Sequence, residues 1–322
     1  MITLQDVKDA KARIQPIIHE TPTLHSEQLS AICGNSLFLK GEHLQKTGSF
    51  KIRGAANKVI HAVEQGAKYV TAASSGNHGQ AVAYVANHYS ISATIVVPEN
   101  ASLCKINAIK GYNGNVEKCG TTSNERLPRA KVIAEVKSGI YIPPYDDPFI
   151  MAGQGTIGLE ILQQLDDIDV VLVPIGGGGL ISGILTAIKE TKPSIQVIGV
   201  EPAIANDTYL SLQNKKITTI PATNTIADGL RTNQPGDLTF PVLLNYLDDL
   251  VLVSEDEIRY AFSFVLERTK QIIEPSSATT VAAVLFDKLG LRGKKIVSVI
   301  SGGNVDIDQI EEFVVDTAHF PK

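Results

Sequence analysis

Lys51 stands directly behind Phe50 in the run Lys46-Thr47-Gly48-Ser49-Phe50-Lys51-Ile52-Arg53-Gly54, an odd place for a charge whose only task is solubility. A lysine acts as a nucleophile only when its amine is neutral part of the time or already committed to an imine, and desolvation beside other cations lowers its pKa. Phe50 would supply apolar cover here, with Lys46 and Arg53 as cationic neighbours. Most lysines are solvated surface groups. By itself the stretch therefore favours a plainer reading, in which Lys51 opens a helix through Ile52, Ala55, Ala56 and Val59 and keeps its ammonium in water.

The four consecutive glycines Gly176 to Gly179 change that balance. They lie between the apolar run Val170 to Ile175 and a helical pattern through Leu180, Ile184 and Ile188. Glycine lets a backbone turn sharply and approach a ligand closely, while the helix start behind it offers N–H donors and the positive end of a dipole. A phosphate cradle follows. No Gly-Lys-Ser/Thr comes after it, and neither the spacing nor a ribose-reading acid fits a dinucleotide fingerprint. A cofactor with one terminal phosphate suits it better, and a reactive lysine beside a monophosphate site points to pyridoxal phosphate, whose aldehyde forms a Schiff base with an amine.

The elements that must position these groups alternate. Val7, Ala10, Ile14 and Ile17 mark an entry helix, and Ser36 to Lys40 a short buried strand leading into the Lys51 stretch. Tyr69 to Ala73 reads as a strand that breaks at Ser74-Ser75-Gly76-Asn77-His78 and continues into a helix through Ala81, Val82, Val85 and Ala86. Such a turn aims free backbone N–H groups at whatever lies above it, which suits an anion. Ala93 to Pro98, Asn115 to Lys118, Val170 to Ile175, Ile195 to Val200 and Lys295 to Ile300 are further strands, with helices over Cys104 to Tyr112 and Gly153 to Leu165. Strand and helix in alternation with short turns predict an α/β fold with parallel sheets. At 322 residues two lobes or one large α/β unit are expected, and the two alternating series favour a smaller lobe over residues 69–144, gating the substrate, inserted into a larger cofactor-binding one made of residues 1–68 and 145–322.

A net charge of -5 without long runs of one sign argues against nucleic acid or a polybasic membrane patch. No apolar run is long enough to span a bilayer, and Met1-Ile2-Thr3-Leu4-Gln5-Asp6 does not resemble a signal peptide, so a cytoplasmic protein is expected. Cys33, Cys104 and Cys119 are odd in number and lack CxxC spacing, which argues against a disulfide framework or a structural zinc site.

Six motifs in order, Ser49-Phe50-Lys51-Ile52-Arg53-Gly54, Ser74-Ser75-Gly76-Asn77-His78-Gly79-Gln80, Gly153-Gln154-Gly155-Thr156, Gly176 to Gly179, Thr225-Ile226-Ala227-Asp228-Gly229 and Ser301-Gly302-Gly303-Asn304, closely resemble the serine/threonine dehydratase and serine racemase family. These are pyridoxal-phosphate enzymes with the tryptophan-synthase β-like fold, fold type II, of two open twisted sheets. The resemblance runs from about Val7 to Ile307.

It implies that Lys51 carries the cofactor and later removes the substrate Cα proton, that Phe50 packs beside the ring and that Asn77 bonds its 3′-oxygen. Gly176, Gly177, Gly178 and Gly179 with the Leu180 amide would hold the phosphate, Ser301 would face the pyridine nitrogen, and Glu274 would stand near the cofactor. A neutral hydroxyl at Ser301 would leave that nitrogen largely unprotonated and the electron sink weaker than an aspartate would. The substrate carboxylate would rest on Ser74, Ser75, Gly76, Asn77 and His78, with Arg126 close by. The Ser-Ser pair, where biosynthetic threonine dehydratases usually have Ser-Ala, resembles serine racemases and places a second catalytic hydroxyl, Ser75, opposite the lysine. Glu274-Pro275-Ser276-Ser277-Ala278 departs from the family's Glu-Pro-Thr-Ala-Gly.

Glu201, the Ala205 carbonyl and Asp207 resemble the family's divalent-cation site, and hard oxygen ligands suit Mg²⁺, Mn²⁺ or Ca²⁺. The activity so implied is dehydration of a β-hydroxy amino acid, L-threonine or L-serine, with serine racemisation. 3-Hydroxyaspartate dehydration and cysteine-synthase-like β-replacement stand as alternatives. A homodimer is implied by the resemblance alone, and the short tail after Ile307 implies no isoleucine-sensing extension.

Overall fold

The computed structural model describes residues 1–74, 76–101 and 103–318. In chain order the elements are α1 (Leu4–Ile14), β1 (Thr23–His25), α2 (Glu27–Cys33), β2 (Ser36–Gly41), α3 (Lys51–Glu64), β3 (Tyr69–Ala73), α4 (Asn77–His88), β4 (Ser92–Val97), α5 (Leu103–Gly111), β5 (Asn115–Lys118), α6 (Ser123–Val136) and β6 (Ile140–Tyr141). There follow α7 (Pro148–Gln164), β7 (Val170–Pro174), α8 (Gly179–Lys189), β8 (Gln196–Pro202), α9 (Asp207–Asn214), α10 (Thr239–Tyr246), β9 (Asp249–Val253), α11 (Glu255–Thr269), α12 (Pro275–Leu285), β10 (Lys295–Ile300) and α13 (Ile310–Phe313).

Among the described residues the strands form two sheets. One runs β1-β2-β10-β7-β8-β9, parallel except for β1, and the other β5-β4-β3-β6, parallel throughout. The larger sheet is covered on both faces, and the period-two geometry of a strand sorts its side chains accordingly. Leu172, Ile198, Val200, Ile296 and Ile300 pack with α11 and α12, while Val171, Val173, Val197, Val297 and Val299 pack with α1, α7, α8 and α10. The α7 helix starts at Pro148, five residues before the pattern from Gly153 suggests, because the Asp147 carboxylate caps the Phe149 and Ile150 amides.

The Lys51 helix α3 lies against α7 at unusually short range. A methyl group at Gly54 would stand 2.8 Å from the Ile150 carbonyl, and one at Gly153 would stand 2.6 Å from the Arg53 carbonyl. Two glycines at the crossing thus bring the backbones together and fix the height of α3 over the larger sheet. Its apolar face, Ile52, Ala55, Ala56, Val59 and Ile60, packs with Val70, Val82, Val85 and Ile95 of the smaller sheet's layer.

Candidate active site

Residues just beyond the carboxyl ends of β3, β7 and β10 meet around one cavity of about 350 Å³, the place where open parallel sheets bind ligands. Phe50, Lys51, Ser74, Gly76, Asn77, His78, Arg126, Gly176, Gly177, Gly178, Gly179, Leu180, Glu274 and Ser301, all singled out from the sequence, line it. Ser75 lies outside the described residues.

Long-range backbone bonds build the Lys51 end. The Phe50 amide donates to the Ser301 carbonyl at 2.9 Å and the Gly303 amide to the Gly48 carbonyl at 2.8 Å, so the loop before α3 is laced to the segment after β10. Lys51 then projects into the cavity, donating from Nζ to the Pro144 carbonyl at 2.8 Å and lying 5.1 Å from the centroid of the Phe50 ring. Burial pulls its pKa down to about 8, opposed in part by the charge of Glu274. The expected cationic neighbour is a correction to the sequence reading. Arg53 is fully buried and turned away, bonding Glu42 at 2.7 and 2.8 Å and Glu160 at 2.6 and 2.8 Å. One residue of helix separates the two side chains by most of a half-turn, so desolvation, not a second cation, lowers the Lys51 amine.

The glycine run forms a shaped floor. Gly178 sits in left-handed backbone at φ +89, and a methyl group at Gly177 or Gly179 would stand 2.5 or 2.9 Å from Tyr145. Thr239 Oγ1 donates to the Gly177 carbonyl at 2.8 Å, so that oxygen already has a partner. The first amides of α8 lack intrahelical acceptors, and Gly176 to Leu180 line the cavity, a cradle that fits a phosphate group.

On the opposite wall the N-terminus of α4 presents Asn77 and His78. Asn77 Nδ2 donates to both Glu274 oxygens, at 2.8 and 3.1 Å, and Asn77 Oδ1 accepts from Asn304 Nδ2 at 2.7 Å. Burial raises Glu274 to about 8, with Asp228 adding to the rise and Asn77, Lys105 and Lys51 opposing it. His78 Nε2–H donates to the Ile142 carbonyl at 2.9 Å, and burial together with the Lys51 charge drives its pKa down to about 3. Ser301 Oγ lies 3.1 Å from Ser277 Oγ, a neutral hydroxyl pair at the cavity wall.

Glu201, near the end of β8, and Asp207, the first residue of α9, are fully buried. The Thr208 and Tyr209 amides donate to the Glu201 carboxylate at 3.0 and 2.9 Å. Burial raises Glu201 to about 8, helped by the neighbouring Asp207, and burial raises Asp207 to about 7. Among the described residues neither forms an ion pair, and no cluster of three acidic, histidine or cysteine side chains occurs. Amide and hydroxyl donors, from Thr208, Tyr209 and Thr232, are thus the partners of this acid pair.

Sequence reasoning missed Pro144, Tyr145, Lys105 and Ser277. The Pro143-Pro144 pair reads as a boundary, and nothing local marks its carbonyl as a lysine partner. Asp228 and Asn304 stand inside quoted motifs without an assigned role. Asp228 receives Lys105 Nζ at 2.9 Å across the cavity mouth, joining α5 to the segment before α10.

A family model described as pyridoxal-phosphate dependent enzyme matches residues 14–302. The chain is 44% identical over 315 residues to the L-threonine ammonia-lyase of Thermotoga maritima, covering 98% of this chain and 78% of that one. It is 45% identical over 320 residues to the serine racemase of Dictyostelium discoideum, covering 97% and 98%. The solved structure of maize serine racemase superimposes with a TM-score of 0.93 at 40% identity, over 97% of this chain and 96% of that one.

Proposed function

The chain belongs to the pyridoxal-phosphate dependent enzymes, and from that premise we propose that it is an L-threonine/L-serine ammonia-lyase with serine racemase activity. The substrate would lose its β-hydroxyl as water, and hydrolysis of the resulting enamine would take up water and release ammonia to leave 2-oxobutyrate or pyruvate. The observation that carries this reading is the Lys51 amine, desolvated beside the glycine cradle with its pKa near 8.

Bound pyridoxal phosphate supplies the electron sink that acidifies a substrate Cα–H bond. This chain's residues do the rest. Gly176, Gly177, Gly178, Gly179 and the Leu180 amide would hold the phosphate, Phe50 the ring face, Asn77 the ring oxygen, Ser301 the ring nitrogen, and Glu274 would orient Asn77. Ser74, Gly76, Asn77 and His78 would hold the substrate carboxylate at the α4 N-terminus. With its pKa near 8, about a tenth of Lys51 is neutral at pH 7, enough for a general base that a solvated surface lysine would not supply. Ser75 would serve the opposite face and so admit racemisation.

Glu201, the Ala205 carbonyl and Asp207 would hold Mg²⁺, or Mn²⁺ or Ca²⁺ in its place, stabilising the start of α9 without touching substrate. A homodimer, on the resemblance alone, and a place in the cytoplasm complete the proposal; no helix among the described residues is long and apolar enough to cross a membrane.

A second reading, dehydration of 3-hydroxyaspartate, is favoured by Lys105 and Arg126, two cationic side chains lining the same cavity. Chiral analysis beside a keto-acid assay on L-serine, L-threonine, D-serine and 3-hydroxyaspartate separates the two, and addition of sulfide exposes any β-replacement. Borohydride reduction followed by peptide mapping should find the cofactor on Lys51; its attachment elsewhere sinks the reading.

A further inference from the structure

The segment Ile142-Pro143-Pro144-Tyr145 runs from β6 toward α7 beside the cavity, and two of its carbonyls are held by different side chains. His78 Nε2–H grips the Ile142 carbonyl at 2.9 Å and Lys51 Nζ the Pro144 carbonyl at 2.8 Å. A proline-rich segment rises about 3 Å per residue, so the two carbonyls stand on the order of 6 Å apart. The Lys51 charge also acts on the His78 ring, so imidazole and amine lie within electrostatic reach of each other beside one strap. A carbonyl can only accept, so His78 Nε2 carries the proton, and a neutral ring then leaves Nδ1 as a bare acceptor. That Nδ1 is buried and has no hydrogen-bond partner, although His78 is only 3% exposed and lines the cavity. A buried polar atom without a partner is costly unless something else reaches it.

An ammonium has three N–H donors, and the Pro144 carbonyl takes one. We propose that His78 is a positioning residue for Lys51, its Nδ1 accepting a second N–H when the amine has left the cofactor and holds the substrate proton. The assignment rests on the reading of Lys51 as cofactor-bearing base and adds a role for the His78 side chain to that of its backbone amide. The proton balance is simple: the Cα–H bond breaks, its proton joins the Lys51 lone pair, and the imidazole shares that proton only as an acceptor. With its own pKa pushed to about 3, His78 stays neutral and never competes for the proton.

The test uses the cofactor-loaded enzyme. His78→Gln keeps an amide N–H near the Nε2 position for the Ile142 carbonyl and deletes the Nδ1 acceptor. His78→Asn keeps an amide oxygen close to Nδ1. Loading, read from the imine absorption band, should match wild type in both. Turnover of α-deuterated and ordinary L-serine should fall about tenfold or more in His78→Gln with KM nearly unchanged and a larger isotope effect, whereas His78→Asn should recover part of kcat. Wild-type kcat in His78→Gln overturns the proposal. Where a variant does not fold, the wild-type protein labelled with ¹⁵N-histidine decides: the Nδ1 resonance of His78 should move when an unreactive substrate analogue frees Lys51, and an unmoved resonance also overturns the proposal. An imine band without the histidine effects refutes this role alone, while absence of the band refutes the cofactor reading beneath it.

Discussion

Lys51 and Arg53, two residues apart in the first turn of α3, occupy separate electrostatic compartments. The amine faces the cavity, while the guanidinium is sealed between Glu42 and Glu160 with Lys40 bonded to Glu160 at 2.7 Å. Two cations and two carboxylates balance in that sealed set, and bonds to both carboxylates hold Arg53 above its ordinary pKa despite burial. Through Arg53 the set ties α3 to the segment after β2 and to α7, and so fixes the turn from which Lys51 projects.

Removing Arg53 leaves two buried carboxylates with one lysine. Arg53→Met is expected to lower stability by about 3–5 kcal/mol, measurable by denaturant unfolding of the apoprotein. Arg53→Lys should recover only part of this loss, because a point charge cannot bond two carboxylates in parallel.

The amine itself should titrate early. The fraction of Lys51 open to acylation in apoprotein should reach half near pH 8. Glu274 opposes the shift, so Glu274→Gln should move that midpoint to lower pH. The linkage to stability runs in opposite directions for the two groups. A lysine lowered from 10.5 to about 8 costs stability below pH 8, and that cost is relieved as pH rises from 8 toward 10.5. A carboxyl raised from 4.5 to about 8 gives stability below pH 4.5 that is lost as pH rises through 8. Urea unfolding of apoprotein between pH 5 and 8 should therefore show a falling contribution from Glu274 that Glu274→Gln removes.

The cradle gives a steric prediction with an internal control. Gly177→Ala places a methyl group 2.5 Å from the Tyr145 ring, whereas Gly111→Ala meets nothing within 4 Å. The first should weaken pyridoxal-phosphate binding by about tenfold or more, since either the ring or the loop must shift. The second should leave it unchanged. Cofactor titration of the apoprotein, followed by absorbance, reads both.

Much of this site was legible because its parts carry local signatures. Four glycines between an apolar strand and a helix start have few uses, and a lysine behind an aromatic ring gains meaning once such a cradle accompanies it. Strands β2, β3, β4, β7, β8 and β10 could be placed from largely apolar runs, since strands buried on two faces have little polar alternation, whereas β1, β6 and β9 were not placed. The direction of Arg53 could not be read, because it depends on Glu160, which reaches it only through the α3–α7 crossing. The Pro144 carbonyl is hidden for a related reason. Any residue has a carbonyl, and only the strap's course past β6 brings this one to Lys51. Sequence also cannot weigh burial, so Glu274 reads as a nearby acid and not as one held largely protonated at neutral pH.

The acid pair at α9 should respond to cations directly. Chelation is expected to lower the thermal midpoint of the holoenzyme and Mg²⁺ to restore it, because a bound cation stabilises the folded chain by mass action. Glu201→Gln should abolish the response while sparing cofactor loading, since neither carboxylate lines the cavity. A midpoint indifferent to Mg²⁺, Mn²⁺ and Ca²⁺ alike would falsify the cation site.

Ser75 poses the last question, and it is one of faces. Lys51 approaches the cavity from the α3 side, gripping the Pro144 carbonyl, whereas Ser74, Gly76 and Asn77 line it from the α4 side. A proton removed by Lys51 and returned by Lys51 keeps its configuration or is lost to elimination; inversion needs a second donor across the ring. Ser75, between Ser74 and Gly76 in the chain, is the residue expected to supply it. Ser75→Ala should therefore abolish formation of D-serine from L-serine while pyruvate production persists within about threefold, as elimination needs only the Lys51 face. Chiral chromatography run beside a keto-acid assay reads both products from one incubation, and undiminished D-serine would transfer the second proton to another group.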